Sequence, residues 1–156
     1  TPFGEVFAGF FMGILIILIA FFIQTGTVTT TSILVSIPSF ILVGAILLSN
    51  NIRDLDGDKD FGRKTLAILI GKKGAVTLLA GMFIVSYIWI LALILTGVMT
   101  PWLAVVLLSL PKAIKSVKGF KTGTNPLEMA PAMVATAQTN TIFALLLSVG
   151  LFISYI

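Results

Sequence analysis

Asn50 to Thr65 reads NNIRDLDGDKDFGRKT and gathers Asp54, Asp56, Asp58 and Asp60, four of the six acidic residues in a chain of 156. Arg53, Lys59, Arg63 and Lys64 lie among them, and long charge-free apolar segments flank the stretch on both sides. Ionisable groups crowded against apolar spans are costly to hold unless they pair or bind something. The flanks therefore decide the fold, and the cluster marks the candidate site.

The chain is 58% apolar and only 10% charged, against about 25% charged residues in ordinary globular domains. That excess points to a membrane protein. The net charge of +4 then reads as topology and not as nucleic-acid binding. With neither Cys nor His, thiolate and imidazole chemistry is excluded, leaving carboxylates, amides and cations.

Between Glu5 and Arg53 lie 47 uncharged residues, between Lys73 and Lys112 another 38, and after Glu128 a further 28. A helical span needs about 20. The polar run Gln24 to Ser32 divides the first segment, and the turn signal at Thr96 to Pro101 divides the second. The expectation is an all-α, multi-pass transmembrane helical bundle of five spans, at 4–24, 31–50, 73–95, 101–118 and 127–155, with a charged motif loop at 50–72. Alternating spans put all sixteen charges on one side, which the positive-inside rule makes cytoplasmic, with the C-terminus opposite. Gly9 and Gly13 form a GxxxG that permits close helix contact within the bundle. Pro38 and Pro131 fall inside spans, where they mark kinks or cavity-lining turns, while Trp89 and Tyr87 read as ordinary span residues. The first residues lack a basic signal-peptide region, and a start at Thr1 reads as a fragment boundary.

Continued as a helix, the stretch places Asn50, Asn51, Asp54 and Asp58 on one side, and Arg53, Asp56 and Asp60 on another. Asp54 and Asp58, one turn apart, can share a divalent cation. Hard oxygen ligands suit Mg²⁺, which takes its remaining ligands from water and a substrate phosphate. Arg53, Arg63 and Lys64 would hold diphosphate oxygens, arginine in bidentate fashion. Gly57 and Gly62 weaken the helix toward a loop. The plain alternative is a solvated loop whose acids and bases pair with one another. An EF-hand fails, because Lys59 stands where its glycine belongs and Thr65 where its bidentate glutamate belongs. A P-loop is absent, and Asp56-Gly57 lacks the Ala-Arg continuation of the alcohol phosphatidyltransferases. A transporter module would place its ionisable groups near the bilayer midplane and not at one interface.

The pattern Asn50-Asn51-Ile52-Arg53-Asp54, Asp58, Gly62-Arg63-Lys64-Thr65-Leu66-Ala67 and Gly71 resembles the second aspartate-rich motif of the UbiA superfamily of intramembrane prenyltransferases. Thr1-Pro2-Phe3-Gly4-Glu5-Val6-Phe7, Gln24-Thr25-Gly26 and Met129-Ala130-Pro131-Ala132-Met133 are similar to the branch acting on 1,4-dihydroxy-2-naphthoate in menaquinone synthesis. The resemblance implies the second half of a nine-helix bundle, inactive alone because the first aspartate-rich motif is missing. It makes Asp54 and Asp58 the Mg²⁺ carboxylates, Arg53, Arg63 and Lys64 the diphosphate cations, and Asn50 and Asn51 polar residues of the cavity floor. The implied reaction is transfer of a polyprenyl group from a prenyl diphosphate to the dihydroxynaphthoate, with decarboxylation. Other acceptors in the superfamily are 4-hydroxybenzoate, homogentisate, and haem or chlorophyll precursors.

Overall fold

The computed structural model describes residues 2–155, so that Thr1 and Ile156 lie outside the described residues. Every regular element among them is helical. The first span, α1, runs over Gly4–Thr25 and includes a π-helical run at Phe10–Leu15. Gly26, in the left-handed conformation at φ 72°, ends it and donates to the Phe22 carbonyl at 2.8 Å. Helix α2, Thr30–Arg53, starts on a capping box in which Thr29 and Ser32 exchange side-chain and backbone bonds. The short α3 covers Leu55–Asp60, and α4 covers Leu66–Leu95 with a kink at Gly71, where φ is 72° and ψ 164°. A 3-10 run at Pro101–Ser109 leads into α5, Leu110–Thr122, and α6 spans Pro126–Ile153 behind an Asn125 cap.

Four helices, α1, α2, α4 and α6, are long and apolar enough to cross a bilayer. The fifth expected span, 101–118, is not a single helix of that kind. Its first nine residues are 3-10, and Pro111 opens a following helix that carries Lys112, Lys115, Lys118 and Lys121. Proline lacks the N–H that an uninterrupted α-helix would need there. The 50–72 stretch is also more helical than a loop, since α2 reaches Arg53, α3 occupies its middle and α4 begins at Leu66.

Three devices join the helices. In α1 and α2, glycine allows backbone contact: a Cβ on Gly13 would stand 2.7 Å from Phe40 Cα, and one on Gly44 would stand 2.9 Å from the Glu5 carbonyl oxygen. The GxxxG thus packs inside the bundle. A second device repairs a proline. Pro38 cannot donate to the carbonyl of Leu34, four residues back. The indole N–H of Trp89 in α4 donates to that oxygen instead, at 2.9 Å. The third is buried hydroxyl pairing: Tyr87 Oη with Ser109 Oγ and Ser116 Oγ with Thr136 Oγ1, both at 2.7 Å. Around these pairs Leu48, Ile52, Leu79, Ile90, Val106 and Phe143 form the core, and Phe143 meets Tyr87 edge-on at 5.4 Å.

Cross-helix bonds also fix which ends lie together. Asn51 bonds Glu5, and Lys72 Nζ donates to the Gly123 carbonyl, so the start of α1, the end of α2, the start of α4 and the α5–α6 connection share one end. Thr100 and Ser154 hydroxyls meet at the other. The polar end is therefore a property of the tertiary fold.

Candidate active site

Helix α2 stops at Arg53 because Asp54 leaves helical geometry, at φ −96° and ψ 11°. The i→i+4 bonding nevertheless carries through: Asp54 N donates to the Asn50 carbonyl at 3.0 Å and Asp58 N to the Asp54 carbonyl at 2.8 Å. Asp58 thus stays one helical turn beyond Asp54. Asp58 is buried at 8% exposure, while Asp56 and Asp60 are exposed. The four aspartates are not equivalent.

Each of the two inner carboxylates meets one guanidinium. Arg53 binds Asp54 in bidentate fashion, Nε to Oδ1 at 2.7 Å and Nη2 to Oδ2 at 2.6 Å. The same guanidinium donates from Nη2 to Asn50 Oδ1 at 2.9 Å and from Nη1 to the Met133 sulfur at 3.1 Å. The Arg53 hydrogen bond holds the Asp54 carboxyl below its ordinary range, against a smaller opposing effect of burial. Arg63 Nη1 binds Asp58 Oδ1 at 2.9 Å. Its position comes from the turn after α3, where Gly62 N donates to the Lys59 carbonyl at 3.0 Å and Arg63 N to the Asp58 carbonyl at 2.9 Å. With Gly62 at φ 70°, this is a Schellman ending. Lys64 is exposed beside it.

A cavity of about 870 Å³ opens next to this cluster, between α1, α2 and α6. Asn50 and Met133, both bonded to Arg53, line the end nearest the charges. Val43, Ile46, Leu47 and Ile142 supply apolar wall, with Gln138, Asn140 and Thr141 among the lining of α6. From Met133 to Ile142 the helix advances about 14 Å at 1.5 Å per residue.

The two asparagines part company. Asn50 lines the cavity, whereas Asn51 is buried and donates Nδ2 to Glu5 Oε1 at 2.9 Å, toward α1. Adjacent helical positions are about 100° apart, so both cannot face one partner. Glu5 is a site neighbour that the sequence placed in the branch-like Thr1–Phe7 segment and at the edge of a span, but not among the candidate site residues. Its signal was being the one acid before residue 54, at the start of an apolar span. Gln138, Asn140 and Thr141 were also not singled out, although polar groups within a span are a signal in themselves. Phe10, Phe11 and Phe22 are each about half exposed and do not line the cavity, which fits lipid contact.

Among the described residues no three Asp, Glu, His or Cys side chains converge as a metal cluster. Asp54 and Asp58 supply two carboxylates. That donor set fits Mg²⁺, which is held by one or two carboxylates when substrate phosphates complete its shell.

Residues 1–125 match the model of the UbiA prenyltransferase family. The chain is 61% identical over 155 residues to 1,4-dihydroxy-2-naphthoate octaprenyltransferase of Bacillus subtilis, covering 99% of this chain and 50% of that protein. It is 33% identical over 143 residues to the UbiA prenyltransferase domain-containing protein 1 homolog of Drosophila melanogaster, covering 92% of this chain and 38% of that one. Identity is 25% over 151 residues to the Escherichia coli 1,4-dihydroxy-2-naphthoate octaprenyltransferase, covering 97% of this chain and 49% of the relative. The chain thus spans half or less of the length of these relatives. The match over most of its residues is decisive for descent: this chain belongs to the UbiA prenyltransferase family.

Proposed function

We propose that the protein containing this chain transfers a polyprenyl group from a prenyl diphosphate to 1,4-dihydroxy-2-naphthoate, with loss of the acceptor's carboxylate, in menaquinone biosynthesis. The identity to the Bacillus subtilis relative supports the acceptor. The observation that carries the chemistry is a lipid-sized apolar cavity whose end residue, Asn50, is hydrogen-bonded to Arg53 of the Arg53–Asp54 pair. A molecule with a charged head and a hydrocarbon tail fits that junction.

In this reading Arg53 and Arg63 bind diphosphate oxygens, with Lys64 adding charge from the exposed side. Their present carboxylate partners, Asp54 and Asp58, would hold Mg²⁺. That ion supplies neutralisation of the charge developing on the diphosphate leaving group. Asn50 accepts from the Arg53 guanidinium at the cavity end, and the buried Asn51–Glu5 bond holds the last turn of α2 against α1. The walls at Val43, Ile46, Leu47 and Ile142 keep water from the carbocation-like prenyl carbon as the carbon–oxygen bond breaks. The electron-rich ring attacks that carbon, and carbon dioxide leaves. The polar end of the bundle faces the cytoplasm, as the sixteen charges on that side favour.

The test is Asp54→Ala and Asp58→Ala in the full-length enzyme, assayed for Mg²⁺-dependent prenyl transfer. Both should lose activity by at least two orders of magnitude, roughly the scale of a removed electrostatic stabiliser. Asp56→Ala, altered at an exposed position, should stay near wild type. Near-normal turnover in both inner variants would overturn the assignment.

A further inference from the structure

On another side of the bundle, a trough of about 520 Å³ lies between α4 and the Pro101–Thr122 segment. It shares no residue with the cavity beside Asp54. Phe83 and Tyr87 form its buried floor, and Ile84, Ile88 and Leu91 are exposed along its α4 rim. From Ala80 to Leu91 the helix advances about 16 Å, close to the depth of one leaflet. The trough is not apolar throughout. Lys118 and Lys121 line one end, and Lys121 also borders a smaller cavity with Lys73. That end belongs to the charged end of the bundle, since Gly123, two residues after Lys121, accepts from Lys72. Lys73, Lys118 and Lys121 are exposed, and none of them is in an ion pair among the described residues. Lys72 differs in being engaged by the backbone.

We propose that this trough is a binding site for one anionic phospholipid. An acyl chain lies along Phe83, Tyr87 and Leu91, and the phosphate sits on Lys118 and Lys121 with Lys73 at its edge. Cations at the mouth of a leaflet-deep apolar trough complement that amphiphile in charge and in length. A prenyl diphosphate has the same general form, but the trough lining contains no carboxylate to hold its metal ion. A single phosphodiester charge needs none.

The experiment measures lipid binding to the full-length protein in neutral detergent by native mass spectrometry, titrating dioleoyl phosphatidylglycerol against dioleoyl phosphatidylcholine. The glycerol lipid should bind at least tenfold more tightly. Lys118→Gln with Lys121→Gln should weaken it about thirtyfold, on the scale of two surface lysines. Lys118→Arg with Lys121→Arg should stay within about threefold of wild type. Lys112→Gln with Lys115→Gln, on the same helix but outside the trough, should also leave binding intact. Equal loss in that pair means diffuse attraction and overturns the site. Equal binding of the two lipids to the wild type, or displacement of the glycerol lipid by farnesyl diphosphate from the trough, overturns it too. The wild-type comparison stands even where a glutamine variant does not fold.

Discussion

Asn51 Nδ2 donates to Glu5 Oε1 at 2.9 Å, a bond between two buried side chains 46 positions apart. It fastens the first turn of α1 to the last turn of α2, one residue from the cavity-lining Asn50 and two from Arg53. Gly44 allows it, because its missing Cβ lets α2 approach the Glu5 backbone.

Removing either partner strands the other. Glu5→Ala and Asn51→Ala should each destabilise the full-length protein by about 1–3 kcal/mol, the cost of an unmade buried hydrogen bond. The double variant should cost clearly less than the two together. Unfolding in SDS measures all three, and additivity within about 0.5 kcal/mol would mean that the two residues do not act as a pair. Asn51→Asp should be worse than Asn51→Ala, because it sets two carboxylates against each other where water is excluded.

Arg53 makes four contacts from one guanidinium, to Asp54 twice, to Asn50 and to Met133. A lysine cannot reproduce them, so on the proposed function Arg53→Lys should raise the KM for prenyl diphosphate about tenfold or more in the full-length enzyme. The pH consequence has a definite sign. The Asp54 carboxyl titrates below its unfolded value, so its stabilisation is full above that unfolded value and is lost as pH falls through the lower folded one. Carboxyl NMR should show Asp54 titrating lower in the wild type than in Arg53→Gln. Its ionisation should leave transfer rates unaffected at neutral pH.

Two glycines in the motif predict opposite outcomes. Gly62 sits at φ 70°, where an L side chain costs about 1–2 kcal/mol. Gly62→Ala should lower stability and displace Arg63 from Asp58, which on the proposed function weakens prenyl diphosphate binding. Gly57 lies within helix α3, and an added Cβ would meet open space. Gly57→Ala should raise stability by up to about 1 kcal/mol. Thermal midpoints of the two variants moving the same way would count against this account of the turn.

Trp89 and Pro38 should be coupled through a third residue. Trp89→Phe leaves the Leu34 carbonyl without a donor and should cost about 1–3 kcal/mol. Pro38→Ala restores a backbone N–H four residues downstream of that carbonyl. In the Trp89→Phe background it should recover part of the loss, and the SDS-unfolding midpoint of the double variant tests this.

Charge spacing and the length of apolar runs were enough to specify a multi-pass helical bundle and to set Asp54 and Asp58 one helical turn apart, because span length and helical period are properties of the local chain. The 3-10 run at Pro101–Ser109 was less legible: hydropathy reports how much of a segment is apolar, whereas proline placement governs whether it can be one helix. Helical angles set Asn50 and Asn51 side by side, but only the packing of α1 assigned one to the cavity and the other to Glu5. The same holds for Trp89, whose role depends on a carbonyl freed in another helix, and for Met133 against Arg53, 80 positions away. Composition and period fix what each segment must bury; which group answers it is settled when distant helices meet, since an unsatisfied polar group in a bilayer takes whatever partner the fold brings within reach.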